Sequence, residues 1–451
     1  MEPHATERVA AVDAAWLHMD SPTNPMVITA VLCFASPVRL AELRRWARDR
    51  VLVHDRFRQR VVESTVPLGP PRWEEDPDFD LASHVHHLAL AAPGDDAELQ
   101  RFVSDVASEP LDRRRPLWQA WLLDGYGDGS ALVVRLHHAL GDGIALVRLL
   151  LGTADEGSSA AAAAEVGLAT APAETPIASI RRGADRATTL AHLLALPADA
   201  PTPLRGELGH RKVVAWSRPI PISDVRAIAR AHDAKVNDVL MACAAGALRG
   251  YLTGSAAPPV PTAAERAGLD ATSPADESAE RAPPASTIPD EIRALVPVYL
   301  RTTDGGRMGN HFGLVFVALP IGIADPVSRL TAVTRSMAAM KRSEEAPVAF
   351  AVLGALGSVS PRLEHLAVEL FSAKASLLVT NIPGPREPIR LAGAEVDRML
   401  VWAPVSGLLG LGMSLCSYAG RIVLGVSADA RLLSDPADLV RRFEEELGAI
   451  A

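Results

Sequence analysis

Apolar residues recur along this chain in two rhythms, one of helical and one of strand period. Val9, Val12, Trp16 and Leu17 fall on one helical face, so a helix is expected near the start. The turn residues Ser21-Pro22-Thr23-Asn24-Pro25 end it, and the apolar run Met26 to Phe34 reads as a strand. Leu40, Leu43, Trp46 and Val51 predict a second helix. His84 to Leu90 reads as a strand, and Trp118–Leu123 with Ala131–Leu136 as a hairpin around Gly125, Gly127 and Gly129. The Ala/Ser/Gly-rich stretch from Thr153 to Ala173 breaks the rhythm and predicts a surface connection.

Beyond it, Arg211 to Trp216 signals a strand and Ser223 to Ala231 a helix. Asn237 and Asp238 are expected to cap an apolar helix from Val239 to Tyr251. Thr253 to Pro289 is crowded with Pro, Ala, Ser, Glu and Asp and has no aromatic residue, as in a mobile insertion. Strands are predicted at Leu295–Leu300, Leu314–Leu319, Ala375–Val379 and Ile422–Val426, flanked by helices at Pro326–Lys341 and Ser434–Leu447. The pattern is that of an α/β protein in two halves, 1–180 and 208–451, joined by a linker over 181–207, with the site in the cleft between them.

A length of 451 residues suits two domains. Hydrophobic residues make up 48% of the chain, enough for two large cores and an apolar surface patch besides. No window offers the roughly 18 apolar residues of a spanning helix, and Met1 to Ala15 lacks a signal-peptide core, so a cytoplasmic protein is expected. The net charge of −9 argues against a nucleic-acid partner. Cys33, Cys243 and Cys416 are scattered without metal-ligand spacing and are expected as core residues in a reducing compartment. His84 and His86 share a strand face, but no cysteine completes a metal set, so no metal site is expected there.

The most informative segment is Arg135-Leu136-His137-His138-Ala139-Leu140-Gly141-Asp142-Gly143. A buried strand ends on paired histidines, then a Gly-Asp-Gly turn leads into the helical pattern from Ile144 to Leu150. Histidine can take a proton near neutral pH and return it within one turnover. Asp142 is close enough in sequence to fix the histidine loop, and Gly143 lets the backbone turn without a Cβ clash. A paired histidine at a strand end points to acid–base catalysis.

With Asp20-Ser21-Pro22-Thr23-Asn24-Pro25-Met26, Arg115-Pro116-Leu117-Trp118, Asn237-Asp238-Val239-Leu240, Gly309-Asn310, Thr380-Asn381-Ile382-Pro383-Gly384-Pro385, Ser417-Tyr418-Ala419-Gly420-Arg421 and Asp429, the histidine motif resembles bacterial wax ester synthase/diacylglycerol acyltransferases. The resemblance runs almost end to end; the insertion at 253–289 departs from it. It implies a two-domain chloramphenicol-acetyltransferase-like fold of mixed sheets with flanking helices and an inter-domain active-site channel. The activity implied is acyl transfer from acyl-CoA to diacylglycerol, to a long-chain alcohol, or to both. Acyl-CoA would be co-substrate, with no further cofactor, and contact with a membrane or lipid droplet would be peripheral.

On that footing His138 is the expected general base, and Asp142 orders the loop. His137 supports the backbone or sets a tautomer. No Gly-x-Ser-x-Gly elbow supplies a serine nucleophile, so no covalent acyl-enzyme is needed. Asn237 and Asn381 are candidate polar contacts to substrate, although each also has a capping or turn explanation. Pro116, Leu117 and Trp118 are candidates for substrate contact and equally for packing. Condensation domains of peptide synthetases share the histidine motif, which leaves open an acyltransferase fed by a carrier-protein thioester. A catalytically silent lipid-binding protein is the third reading.

Overall fold

The computed structural model describes residues 7–64, 69–142, 149–150, 152–155, 176–254, 288–300, 310–340, 345–357 and 361–451. Gly143, nearly all of the expected insertion, and most of the Ala/Ser/Gly-rich connection lie outside them.

Two mixed sheets organise the molecule. The first runs in the order Arg390–Leu391, Ala394–Trp402, Val27–Phe34, Gly129–His137, Trp118–Tyr126, Val85–Ala89; its neighbours are antiparallel except the last pair. The second runs Phe312–Leu319, Ile292–Tyr299, Leu377–Pro383, Leu411–Tyr418, Arg421–Asp429, Lys212–Trp216, with Ile220–Pro221 also pairing with Arg421–Asp429. Helices Val236–Gly254, Pro326–Met340 and Pro436–Ile450 pack together against this sheet.

Val27–Phe34 is apolar at almost every position because it is central and covered on both faces. Ile28, Leu32 and Phe34 enter one core. Val31 and Cys33 enter another, where Val133, Leu400 and Trp402 meet Val214, Trp216 and Val423 of the second sheet. The sheets are therefore joined by buried side chains. The predicted hairpin forms, and Gly125 and Gly127 turn it at positive φ, a conformation that favours glycine.

Three expectations need correction. Helix Val236–Gly254 starts ahead of the expected cap. Asp238 lies in its first turn and accepts from the backbone N–H of Lys235 at 3.0 Å, so Lys235 is the cap and Asp238 makes the return bond. The stretch expected as a linker is helical to Ala195, part of helix Pro176–Ala195, whose Ala, Leu and Arg content favours that state. Strand Ala394–Trp402 belongs to the second half of the sequence but pairs with Val27–Phe34 in the first sheet, so the halves interleave.

Candidate functional site

Strand Gly129–His137 carries the histidine pair to the edge of a cleft between the two sheets. The next residues form a short 3-10 turn, His138–Leu140, fixed where His138 donates its N–H to the Met26 carbonyl at 2.7 Å. The cleft holds about 820 Å³ of free space. Trp16, Ile28, His138, Asp142 and Val401 line it from the side of the first sheet; Leu295, Tyr299, Phe312, Thr380 and Asn381 line it from the second.

His138 is nearly sealed. Trp16 stacks on its ring at a centroid distance of 4.0 Å and Phe312 tilts against it at 5.6 Å. Of its two nitrogens, Nδ1 is buried without a hydrogen-bond partner, which leaves Nε2 as the atom that opens on the cleft. Burial pushes the imidazole pKa down to about 3, and neighbouring His137 adds to the fall. Contacts with its own backbone and with Asn310 act the other way. The ring is thus neutral at physiological pH, the state a general base needs before reaction.

His137 points elsewhere and does not line the cleft. Its Nδ1 accepts from the Ala139 N–H at 3.1 Å, and its Nε2 lies 3.7 Å from Asp20, too far for a hydrogen bond. Burial would raise the Asp20 carboxyl, but His137, the Met26 N–H at 2.8 Å and Arg113 together hold it below the usual range. Asp20, bonded to the Met26 N–H and to Arg113, thereby ties the end of helix Ala11–Met19 to the turn before Val27. Asp142 lines the cleft beside His138, and its Oδ2 accepts from the His311 N–H at 2.9 Å, linking the histidine loop to the second sheet.

Asn237 and Asn381, far apart in sequence, are brought together: Asn381 Nδ2 donates to Asn237 Oδ1 at 2.6 Å, and Asn381 faces the cleft. Pro116, Leu117 and Trp118 are buried away from it. The Leu117 carbonyl accepts from the His137 N–H and the Trp118 indole donates to the Phe57 carbonyl, so this segment braces the histidine strand. Trp118 also lines a second cavity of about 940 Å³ with an almost wholly hydrophobic lining that includes Trp46, Phe57, Ala120, Leu132, Val134 and Leu136. Val401 lines both spaces.

Sequence reasoning missed Trp16, Phe312, Asp13 and the role of Asn310. Asn310 Nδ2 donates to the His138 carbonyl and to Asp13 Oδ1, both at 2.8 Å. Only the Gly309-Asn310 pair carried a signal. The strand histidines disperse: His84 bonds the Trp118 carbonyl, His86 stacks on Trp121 and His87 meets Asp124. Among the described residues no three His, Cys, Asp or Glu side chains gather as metal ligands. The three cysteines are buried.

The model of the wax ester synthase/diacylglycerol acyltransferase catalytic domain matches residues 9–197, and that of the family's C-terminal domain matches 308–451. The chain belongs to this family. A putative diacylglycerol O-acyltransferase of Mycobacterium tuberculosis is 30% identical over 98% of this chain and 97% of the relative. A probable diacylglycerol O-acyltransferase of the same organism is 27% identical over 88% and 84%. Among solved structures, the wax ester synthase/diacylglycerol acyltransferase of Marinobacter aquaeolei VT8 superposes with a TM-score of 0.70, at 23% identity and 98% coverage of each chain. The first condensation domain of the CDA synthetase superposes at 0.61, with 16% identity and coverage of 99% and 96%. The fold is the two-domain chloramphenicol-acetyltransferase-like one, and family membership makes the chain an acyltransferase, which sets aside the silent lipid-binding reading.

Proposed function

We propose that the chain moves a fatty acyl group from acyl-CoA to diacylglycerol, to a long-chain alcohol, or to both, with His138 as general base. The observation that carries this is His138, neutral and open through Nε2 to a cleft that adjoins a large apolar cavity. The acceptor hydroxyl gives its proton to Nε2 as its oxygen attacks the thioester carbonyl. The tetrahedral oxyanion collapses, the C–S bond breaks and the CoA thiolate takes the proton back from the imidazolium. Such assistance is worth about 10²–10⁴-fold. The low basicity of the buried imidazole is offset in the transition state, where the oxyanion beside the imidazolium favours its charged form.

The other roles follow from position. Asn381, held by Asn237, faces the cleft, where its amide can offer the oxyanion a hydrogen bond. The apolar cavity takes the acyl chain: it runs beside Leu132, Val134 and Leu136 of one strand, about 14 Å of apolar wall. The reaction as proposed needs acyl-CoA as co-substrate and otherwise only acid–base chemistry. Peripheral contact with a membrane or lipid droplet is part of this reading. No helix among the described residues is long and apolar enough to cross a membrane. Helix Pro361–Ser372 leaves Leu363, Leu366 and Leu370 exposed by 60%, 65% and 49% at helical spacing, beside the loop that carries Ser406 and Leu409 to the cleft.

Mass spectrometry of products from acyl-CoA with diacylglycerol or hexadecanol tests the activity. Triacylglycerol or wax ester is expected, and acyl transfer from a carrier-protein thioester alone would contradict the reading. Flotation with triacylglycerol emulsion tests the contact, which is expected to persist at high salt. Binding lost at high salt would mean that charge, not the leucine face, makes it.

A further inference from the structure

The segment Asn310–Phe312 meets His138 twice, and the helix Ala11–Met19 meets it through Trp16 and reaches Asn310 through Asp13. Asp13 and Trp16 are three residues apart on the helix and share a face. Asn310 and Phe312 are two residues apart where a strand begins and project to the same side. Trp16 and Phe312 enclose the imidazole, while Asn310, itself held by Asp13, bonds the backbone carbonyl behind it. The two N–H groups of the Asn310 amide are divided between the Asp13 carboxylate and the His138 carbonyl, and Asn310 is itself buried. Its carbonyl oxygen has no partner, so the amide is oriented wholly by what its N–H groups reach.

We infer that Asp13 and Asn310 are positioning residues for His138, and that the charge on Asp13 switches the clamp between a tight and a loose state. The inference rests on His138 being the base. Ionised Asp13 accepts a charge-assisted bond, the stronger kind, and so fixes the Asn310 amide under the His138 carbonyl. Protonated, it holds the amide less firmly, and the imidazole loses its aim at the acceptor hydroxyl.

Burial raises the Asp13 carboxyl to about 6, against the opposing pull of Asn310 and Arg56, and Asp142 adds to the rise. Its ionised form therefore costs folding stability. The stability that the protonated form contributes is full below the usual carboxylate range and is lost as pH rises through about 6. Activity and stability should respond to Asp13 in opposite directions, which a residue of merely structural importance would not do.

The charged and titratable groups around Asp13 are few. Arg56 faces it from the 3-10 turn Asp55–Phe57, and Asp142 and His138 from the histidine loop. His311 follows Asn310 in the strand segment. Glu345 lies on the helix Glu345–Leu356 packed against Ala11–Met19; Glu364 and His365 lie on helix Pro361–Ser372, engaged with His18 at the far end. Of these, His311 adjoins Asn310 in the chain and is the one to separate by a control variant.

The test is the pH dependence of kcat and KM for the full chain, between pH 5 and 8.5, with a long-chain acyl-CoA and a long-chain alcohol. Asp13→Asn, Asn310→Ala and His311→Gln are compared with the wild-type chain, alongside thermal melting at pH 8. Wild type should lose kcat as pH falls through about 6. Asp13→Asn should lack that limb, lose about fivefold in kcat at pH 8 with KM little changed, and melt no lower than wild type. Asn310→Ala should lose more than about tenfold in kcat, and His311→Gln should keep the limb. A limb that survives in Asp13→Asn, disappears in His311→Gln or is absent from wild type would overturn the inference. So would an Asp13→Asn chain that loses activity and stability together. A fully active His138→Ala would instead defeat the base assignment.

Discussion

Replacing Trp16 with alanine separates the two jobs of this indole, which is only 5% exposed and stacks on His138 at 4.0 Å. Truncating a buried Trp costs about 3–5 kcal/mol in lost transfer and cavity energy. Trp16 Nε1 is buried without a partner, so its removal also relieves an unmet donor, which costs about 1–3 kcal/mol where it stands. The net loss should be about 2 kcal/mol, read by urea unfolding. The second effect is on the base. In the wild-type chain the unfolded state takes up a proton at the ordinary histidine pKa, while the folded state resists until about pH 3. His138 therefore supports folding fully above the ordinary value, and that support is lost as pH falls toward 3, by up to about 1.4 kcal/mol per pH unit. In Trp16→Ala, water reaches the ring, its pKa climbs toward the ordinary value and this part of the pH dependence flattens. Ring-proton NMR of His138 follows the titration directly. A variant that loses stability while His138 still resists protonation down to about pH 3 would refute the claim that Trp16 keeps the base dry.

Asp142→Ala should lower soluble yield, melting temperature and activity together, because it removes the acceptor of the part-buried His311 N–H, a bond worth about 0.5–1.5 kcal/mol; lost activity with unchanged melting would contradict a loop-ordering role. Ala120→Phe should fill part of the apolar cavity and raise KM for long acyl-CoA by more than about tenfold while sparing short chains, since each methylene left outside forfeits about 0.8 kcal/mol. Equal effects on both chain lengths, measured with a thiol reagent, would mean that the cavity does not hold the acyl group.

What the sequence disclosed and what it withheld divide along contact range. The strand that ends on His138 and the hairpin behind it are written in local pattern, with apolar positions along the strands and glycines where φ is positive. Strand Ala394–Trp402 escaped notice because a register shift between Val396 and Arg398 breaks its alternation, and because its partner Val27–Phe34 lies in the other half of the chain. Helix Glu345–Leu356 is apolar on nearly every side and shows no period to read. The histidine pair and Asp142 were legible as a motif, and the structure lines the cleft with His138 and Asp142 while turning His137 toward Asp20. The clamp of Asp13, Trp16, Asn310 and Phe312 was not legible, since it exists only where a helix near the start meets a strand some 300 residues later. Asn237 and Asn381 each looked like a local cap or turn residue; only folding shows them bonded to one another.

The central claim is that His138 takes the proton from the acceptor hydroxyl. It is tested most directly by the rate of CoA thiol release from a long-chain acyl-CoA with hexadecanol or diacylglycerol, for the wild-type chain and His138→Ala at pH 8. Circular dichroism and melting establish that both are folded. The account predicts a fall of at least about 100-fold with the fold retained. A folded His138→Ala chain that keeps more than about one per cent of wild-type turnover would contradict it.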